Sequence, residues 1–235
     1  MKHTETAHRI ATLLELELPP VALAFVDEPP AGVEPTDAVV PAACAFWRKA
    51  EQGVFYAPAD AHFNCPIGAM VMGFDLSEPA QANLTAAVEM MCEVAYIGAD
   101  EPANIPTVKR DKTGIVYGPL SEFPLEPDIA IVWVAPQQAM LVSEASGNSS
   151  WMEAASRTVF GRPACASLPS ALDAGQPVLS LGCAGMRTFT EILPDRLLGV
   201  VPGSKLEDFE RSLAATVESN RQMQSYYDEQ NAQLA

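Results

Sequence analysis

Ile129-Ala-Ile-Val-Trp-Val134 is a continuous apolar run that stands between Pro127 and Pro136. A second run of this kind, Val21-Ala-Leu-Ala-Phe-Val26, follows a pair of prolines nearer the N-terminus. Short apolar runs bounded by turn residues are typical of strands that are buried on both faces. The two runs therefore predict a sheet whose faces are both covered by helices.

Further short strands and helices are predicted around these two runs. Strands are expected over 54–56, 178–181 and 198–201, and residues 105–120 are expected to form a hairpin or an extended excursion. Helices are expected at the N-terminus, after Pro41 as far as Gly53, from Cys65-Pro66, over 78–96, over 138–145 and over the last thirty residues, with Ser204-x-x-Glu207 as a capping box. The predicted fold class is α/β, with mixed sheets flanked by helices and a C-terminal helix.

The two halves of the chain share an order of features that predicts a duplicated α/β unit. Each half has a buried strand, an Ala-Cys-Ala triplet, a short helix that ends in glycine, a short strand and a second cysteine. The triplets contain Cys44 and Cys165. The expected organisation is a pseudo-two-fold pair of halves, 1–120 and 121–235, either as two units or as one compact domain. Coincidence is the alternative, because alanine and glycine are common residues.

Composition and charge narrow the classes of function. The chain has 235 residues, nearly half of them apolar, and carries 14 Lys and Arg against 30 Asp and Glu, a net charge of -16. Such a chain folds, and it repels phosphate backbones and anionic lipid, so nucleic-acid and membrane binding are not expected. No apolar run approaches the ~20 residues that span a bilayer. The N-terminus lacks a secretory pattern, so a cytoplasmic location with reduced thiols is predicted.

Cysteine is the residue type with enough well-placed copies to build a site. Four of the five cysteines stand at or just before a predicted helix start, where amide groups and the helix dipole stabilise a thiolate. They are Cys44, Cys65, Cys165 and Cys183. Four thiolates fit a [4Fe–4S] or [2Fe–2S] cluster or a structural zinc ion, but there is no C-x-x-C pair, and four buried small hydrophobic residues are the alternative. Cys92 lies inside the 78–96 helix and is expected to be a core thiol.

Three other side chains stand near these cysteines in sequence. His62 precedes Cys65 by three residues, so it could assist a ligand, replace one or carry a proton, or it could be a solvated loop histidine. Arg162 and Arg187 each lie within five residues of a cysteine. Each could stand beside an anionic cluster or bind a substrate carboxylate, and each could instead belong to a surface ion pair.

Several motifs of this chain resemble those of one family, the uncharacterised ArCR proteins of domain of unknown function 169. The similar motifs are Gly53-Val-Phe-Tyr56 after Cys44, His62-Phe-Asn-Cys65-Pro-Ile-Gly68, Gly118-Pro-Leu, Phe123-Pro, Glu126-Pro-Asp128, Gly161-Arg-Pro-Ala-Cys165-Ala and Gly182-Cys183-Ala-Gly-Met-Arg187. The resemblance extends over nearly the whole chain. Where the family has Gly-Asn-Arg, this chain has Gly185-Met186-Arg187, so any role of that asparagine is lost here. The resemblance implies that the four cysteines form one motif set, and it implies no reaction.

The leading hypothesis is a cytoplasmic iron–sulfur protein, with a [4Fe–4S] cluster held by the four cysteines. Such a protein would transfer electrons to a redox partner or use the cluster to bind a small molecule, and it could form a homo-oligomer. A second hypothesis is a zinc-stapled or metal-free binding module whose cysteines serve folding alone. A third is a thiol enzyme with Cys65 as nucleophile and His62 as base.

Overall fold

The computed structural model describes residues 3–147 and 159–234, and within them the chain forms a mixed α/β fold in three layers. The α-helices of this part are α1 (Thr4–Leu13), α2 (Ala45–Lys49), α3 (Pro66–Val71), α4 (Glu78–Glu93), α5 (Pro136–Ala145), α6 (Ser167–Ala174), α7 (Ala184–Thr190) and α8 (Leu206–Leu234). The strands are β1 (Val21–Val26), β2 (Phe55–Pro58), β3 (Gly114–Pro119), β4 (Ile129–Val134), β5 (Val159–Phe160), β6 (Val178–Ser180) and β7 (Leu197–Pro202). The predicted α/β class is confirmed.

The strands of the described residues form one seven-stranded sheet in the order β2-β3-β1-β4-β7-β6-β5. Neighbouring strands are antiparallel, except that β5 runs parallel to β6. The two apolar runs, β1 and β4, lie side by side in the middle, where Val21 pairs with Ile131. Both strands have the bounds predicted from the sequence, and their central position explains why they are apolar throughout.

Alternate residues of each strand face opposite layers of helices. On β4, Trp133 belongs to a core beneath α2, α3, α6 and α7, whereas Val132 belongs to a core beneath α1, α5 and α8. This period of two is the normal geometry of a strand. We call the first side the cysteine face, because it carries Cys44 and Cys165. On that face Trp47 of α2 packs against Trp133, with ring centroids 6.3 Å apart.

Each half of the chain contributes strands in the same relative order. Outward from the centre, the first half gives β1, β3 and β2, and the second half gives β4, β7 and β6. In each half, a further segment pairs in parallel with the outer strand, and this segment precedes the first cysteine of that half. In the first half Pro35 forms a bridge with Tyr56 of β2, and in the second half β5 pairs with β6. This order agrees with a duplication, but the duplication and the division at residue 120 stay predictions, because strand order alone does not establish a common origin.

Two predictions about local structure differ in part from the structure. Of the two forms expected for residues 105–120, the hairpin is not formed, because this stretch contains the single extended strand β3, which is inserted between β1 and β2. Two glycines permit this close packing: a Cβ at Gly114 would lie 2.5 Å from the Tyr56 hydroxyl, and one at Gly118 would lie 2.7 Å from Val54. The helix after Pro41 is also shorter than expected, since α2 ends at Lys49.

The remaining expected helices are found with small shifts of their ends. The C-terminal helix starts at Leu206 after one 3-10 turn that contains Ser204. The sequence also predicts a loop at Gly147-Asn-Ser-Ser150, and most of it lies outside the described residues. No helix of the described part is both long enough and apolar enough to cross a membrane.

Candidate cysteine-lined site

All four predicted cysteines line one cavity of about 570 Å³ on the cysteine face. Cys44, Cys65 and Cys183 are the residues immediately before α2, α3 and α7. Cys165 lies in the 3-10 turn that leads directly into α6. The prediction that each cysteine stands at a helix start is therefore confirmed, and the fold brings the four together.

The helices that carry the cysteines pack in pairs across the two halves. Helix α2, which follows Cys44, packs against α7, which follows Cys183. Helix α3, which follows Cys65, packs against the turn that contains Cys165. Each contact therefore joins a cysteine of the first half to one of the second half, so neither half holds the site by itself.

The space beside Cys65 favours glycine at position 68. A Cβ at Gly68 would lie 3.0 Å from the Cys65 sulfur and 3.0 Å from the Ala43 Cβ, which is tighter than most packed side-chain contacts, so these neighbours would have to shift. The comparable position near Cys183 is less restrictive, because a Cβ at Gly185 would meet only the Phe189 ring, at 3.9 Å. Cys183 is held instead by the Met186 amide, which donates a hydrogen bond to its sulfur at 3.4 Å.

One wall of the cavity is mainly apolar. It is formed by α4 and the segment that follows it, and its apolar side chains include Leu84, Ala87, Val88, Met91, Ile97 and Ile105. Side chains with polar groups are few among the described lining residues apart from the cysteines: Asn64, Thr85, Glu89, Tyr96 and Arg162. The cavity is therefore a place where an apolar ligand or a metal cluster would be shielded from water.

Burial keeps the two innermost thiols protonated. Burial, together with charge repulsion from the nearby Cys65 and Cys183, raises the pKa of Cys44 to about 12. Burial also raises the pKa of Cys165 well above its usual value, with the other three cysteines adding to the effect. The expectation that a helix start lowers the thiol pKa is wrong for these two residues, because desolvation outweighs the effect of the helix start.

The four thiols line one cavity but do not form a ready metal site. Within residues 3–147 and 159–234, no group of three or more His, Cys, Asp or Glu side chains is arranged to hold a metal ion. A tetrahedral zinc ion with bonds of ~2.3 Å would draw its four sulfurs to about 3.8 Å from one another.

His62 is a buried residue and not a solvated one. Its side chain is packed beside Phe46 and Phe74, and the residue is 1% exposed. Its Nδ1 lies 2.9 Å from the Pro58 carbonyl, which can only accept, so Nδ1 carries the proton. Nε2, at 3.0 Å, then accepts a hydrogen bond from the Tyr117 hydroxyl. Burial lowers the pKa of His62 to about 4, so the imidazole is neutral at pH 7.

Tyr117 is a residue of the site region that sequence reasoning missed. It is fully buried on β3, and burial raises its pKa, with further contributions from Cys44 and Cys165. Tyr117 belongs to the same core as Cys44 and Cys165 and does not line the cavity. Nothing in the sequence distinguishes this tyrosine, because it stands in an apolar strand like many core residues.

Arg162, three residues before Cys165, lines the cavity. Its guanidinium lies over the Tyr96 ring, 4.4 Å from the centroid. The Tyr96 hydroxyl in turn accepts a hydrogen bond of 3.2 Å from the Ala184 amide, next to Cys183. The aromatic ring thus positions the guanidinium at the cavity and ties the segment after α4 to the start of α7.

Arg187 and Cys92 do not belong to the cavity lining. Arg187 donates hydrogen bonds to three backbone carbonyls, at 2.6 Å to Leu181, 3.1 Å to Pro194 and 3.2 Å to Arg196, so it holds the loops around α7. Cys92 is half-buried on α4, which differs from the fully packed core thiol that we expected.

The comparison with known families agrees with the motifs. Residues 9–212 match the model of domain of unknown function 169, described as uncharacterised ArCR, and this range includes the four cysteines and every other residue of the cavity lining. No curated protein and no solved structure matches the chain. Because the matched range covers most of the sequence, the chain belongs to the uncharacterised ArCR family.

Proposed function

We propose that this protein binds an iron–sulfur cluster, with Cys44, Cys65, Cys165 and Cys183 as its ligands. The observation that supports the proposal is that four cysteines, two from each half of the chain, line one mainly apolar cavity. Cysteine thiolates are the usual ligands of [4Fe–4S] and [2Fe–2S] clusters, and shielding from water stabilises such clusters. A reducing compartment such as the cytoplasm, which keeps the thiols free, is part of the proposal.

A cluster and a zinc ion differ in the spacing of the ligand sulfurs. A [4Fe–4S] cube stands between its ligands and holds their sulfurs roughly 6–7 Å apart. A single zinc ion needs a much tighter group of ligands. We favour a [4Fe–4S] cluster because the four cysteines of the cavity match the four irons of the cube.

The proposed cluster leaves room for a second molecule. Four thiolates occupy the protein-facing positions of all four irons, which suits electron transfer to a redox partner. The cavity, however, extends from the cysteines to the wall formed by α4. A small molecule in that space would lie next to the cluster, so cluster-assisted binding is the form of the proposal that the cavity favours.

Cluster binding must displace protons, because the buried thiols are protonated at neutral pH. Each cysteine that becomes a ligand releases its proton to solvent. Loading is therefore expected to release protons and to become more favourable as the pH rises from 7 toward 9.

The test is anaerobic reconstitution followed by analysis of iron and sulfide and by visible spectroscopy. We expect equal amounts of iron and sulfide and a broad charge-transfer absorption. Cys44→Ser and Cys183→Ser are expected to lose most of the iron, whereas Cys92→Ser, the matched control outside the cavity, retains it. A folded but colourless, iron-free wild-type protein after reconstitution would overturn the proposal.

The same experiment separates the other two functions. A zinc-stapled module would bind zinc in place of iron and would lose stability when a chelator is added. A thiol enzyme that uses Cys65 and His62 is not favoured, because both nitrogens of His62 are already hydrogen-bonded and His62 does not line the cavity. That hypothesis predicts selective alkylation of one thiol at neutral pH.

A further inference from the structure

We infer that the part of the cavity between the cysteines and α4 binds a small apolar carboxylate, whose carboxylate pairs with Arg162. This inference deepens the proposed function and rests on it, since it names the molecule that would lie beside the cluster. Three features support it: the volume of the cavity, the apolar side chains of α4 that line it, and the position of the Arg162 guanidinium.

The volume suits a small molecule. Ligand sites of proteins have volumes of roughly 300–1,000 Å³ and are lined mainly by apolar side chains with a few polar groups that set orientation. The cavity has about 570 Å³ and conforms to this description. A cluster at the cysteines would leave the apolar remainder of the space, along α4, for a second ligand.

The side of α4 that faces the cavity is incompletely packed. In a helix of 16 residues only Ala80 and Leu84 are fully buried, and the helix packs chiefly against α3. Val88 and Met91 are half-buried and line the cavity. An aliphatic or aromatic body of a ligand would cover these side chains, which is the favourable burial of apolar surface that drives such binding.

Arg162 supplies the polar recognition. Stacking on Tyr96 fixes the plane of its guanidinium, which leaves the N–H donors at the edge available. Within the described residues, Arg162 has no ion pair with a carboxylate of the protein. A fixed guanidinium that faces an apolar cavity binds a carboxylate by two parallel hydrogen bonds.

Glu89 is the acidic side chain among the described lining residues, and it is the alternative group that could select the ligand. Glu89 and Arg162 are both exposed, so water screens both charges. Arg162 differs in that the Tyr96 ring, 4.4 Å away, holds its guanidinium at the cavity. If Glu89 governed recognition, the site would prefer an amine to a carboxylate. An alcohol with the same apolar body measures the contribution of burial alone.

The experiment compares octanoate, octanol and octylamine by isothermal titration calorimetry on cluster-loaded and iron-free protein. We expect the affinity for octanoate to be higher than that for octanol by a factor of about ten or more, which is the effect of a hydrogen bond to a charged group. Arg162→Gln should remove that preference and keep octanol binding. Arg221→Gln, which changes an exposed arginine on α8, should change neither the preference for octanoate nor the binding of octanol.

A second pair of variants tests the wall. Val88→Asp should weaken octanoate and octanol alike, because it places a charge against the apolar body, whereas Ala86→Asp on the exposed side of α4 should not. Equal affinity for octanoate and octanol, a preference for octylamine, or an unchanged preference in Arg162→Gln would overturn the inference. Octanoate preference in a protein that takes up no iron would overturn the proposed function alone, and a loaded cluster without octanoate preference would overturn this inference alone.

Discussion

The buried His62 makes the stability of the folded protein depend on pH in the acid range. Its ring accepts a hydrogen bond from Tyr117 and donates one to Pro58, an arrangement that requires the neutral form. Unfolding restores the ordinary pKa of 6.5, whereas the folded pKa is about 4. The unfolded state therefore binds one proton more than the folded state between these two pH values, and stability falls as the pH decreases through that interval.

We expect the wild-type protein to lose about 3 kcal/mol of unfolding free energy through His62 between pH 6.5 and pH 4, since one pKa unit corresponds to ~1.36 kcal/mol. His62→Gln offers a donor and an acceptor of similar reach but does not titrate. Its unfolding free energy, measured in urea, should depend less steeply on pH in this interval. Equal slopes for the two proteins would contradict the assignment of the buried imidazole.

The glycine next to Cys65 gives a second prediction at the level of single residues. Gly68→Ala is expected to destabilise the protein by about 1–3 kcal/mol, because the added methyl group overlaps Ala43 and the Cys65 sulfur. Gly185→Ala, at the comparable place after Cys183, should cost much less, because its methyl group makes ordinary contact with Phe189. Urea unfolding measures both, and similar losses would show that the crowding at Cys65 is relieved by a small shift.

Sequence reasoning could identify the residues that stand in motifs but not those that the fold brings to them. The cysteines were recognisable from their position at helix starts, which is a local property. Tyr96 and Tyr117 reach the site from α4's end and from β3, so their roles depend on packing between distant segments. The raised pKa of Cys44 was also unpredictable, because burial is a property of the whole fold.

Helix α8 is divided between a packed and an exposed portion. Its buried side chains are Leu206, Phe209 and Leu213, all in the first third of its 29 residues. Beyond Asn220 the side chains of the described residues are exposed, and Met223 is 47% exposed. The proximal portion therefore stabilises the fold, and the distal portion contributes little.

Two alanine substitutions measure this division. Leu213→Ala should cost about 2–5 kcal/mol of unfolding free energy, which is the usual loss for a buried leucine. Met223→Ala should change it by less than about 0.5 kcal/mol. A large, concentration-dependent cost of Met223→Ala would instead show that the distal portion packs on a second copy of the chain, as the predicted homo-oligomer allows.

Elements were predictable in proportion to the strength of their local pattern. Strands β1 and β4 were predicted with their bounds because continuous apolar runs between prolines have few other solutions. Helix α4 was predicted from its periodicity and ends three residues earlier than expected. Strand β3 was misjudged, because its place between β1 and β2 is set by pairing with segments about 60 to 90 residues away.

The whole molecule is built around the pairing of β1 with β4. These strands come from different halves of the chain, and Trp47 of one half packs against Trp133 of the other. The Trp133 indole also donates a hydrogen bond of 3.2 Å to Glu51. The two halves therefore share one sheet and the core of the cysteine face.

We expect the chain to unfold in a single cooperative transition. Tryptophan fluorescence and far-UV circular dichroism should give the same midpoint in urea, because the core joins both halves. Separate fragments 1–120 and 121–235 should remain unfolded, since each exposes an edge of the central sheet and half of the cysteine face. Independent folding of either fragment would favour two domains.

The pairing of helices across the halves has a consequence for biosynthesis. Cys44 emerges early from the ribosome, but α7, which packs beside it, follows Cys183. If the protein binds the proposed cluster, proteins that deliver such clusters would meet all four ligands only after most of the chain has been translated. A chain truncated before Cys183 would lack one ligand and α7, so it could not complete the proposed site.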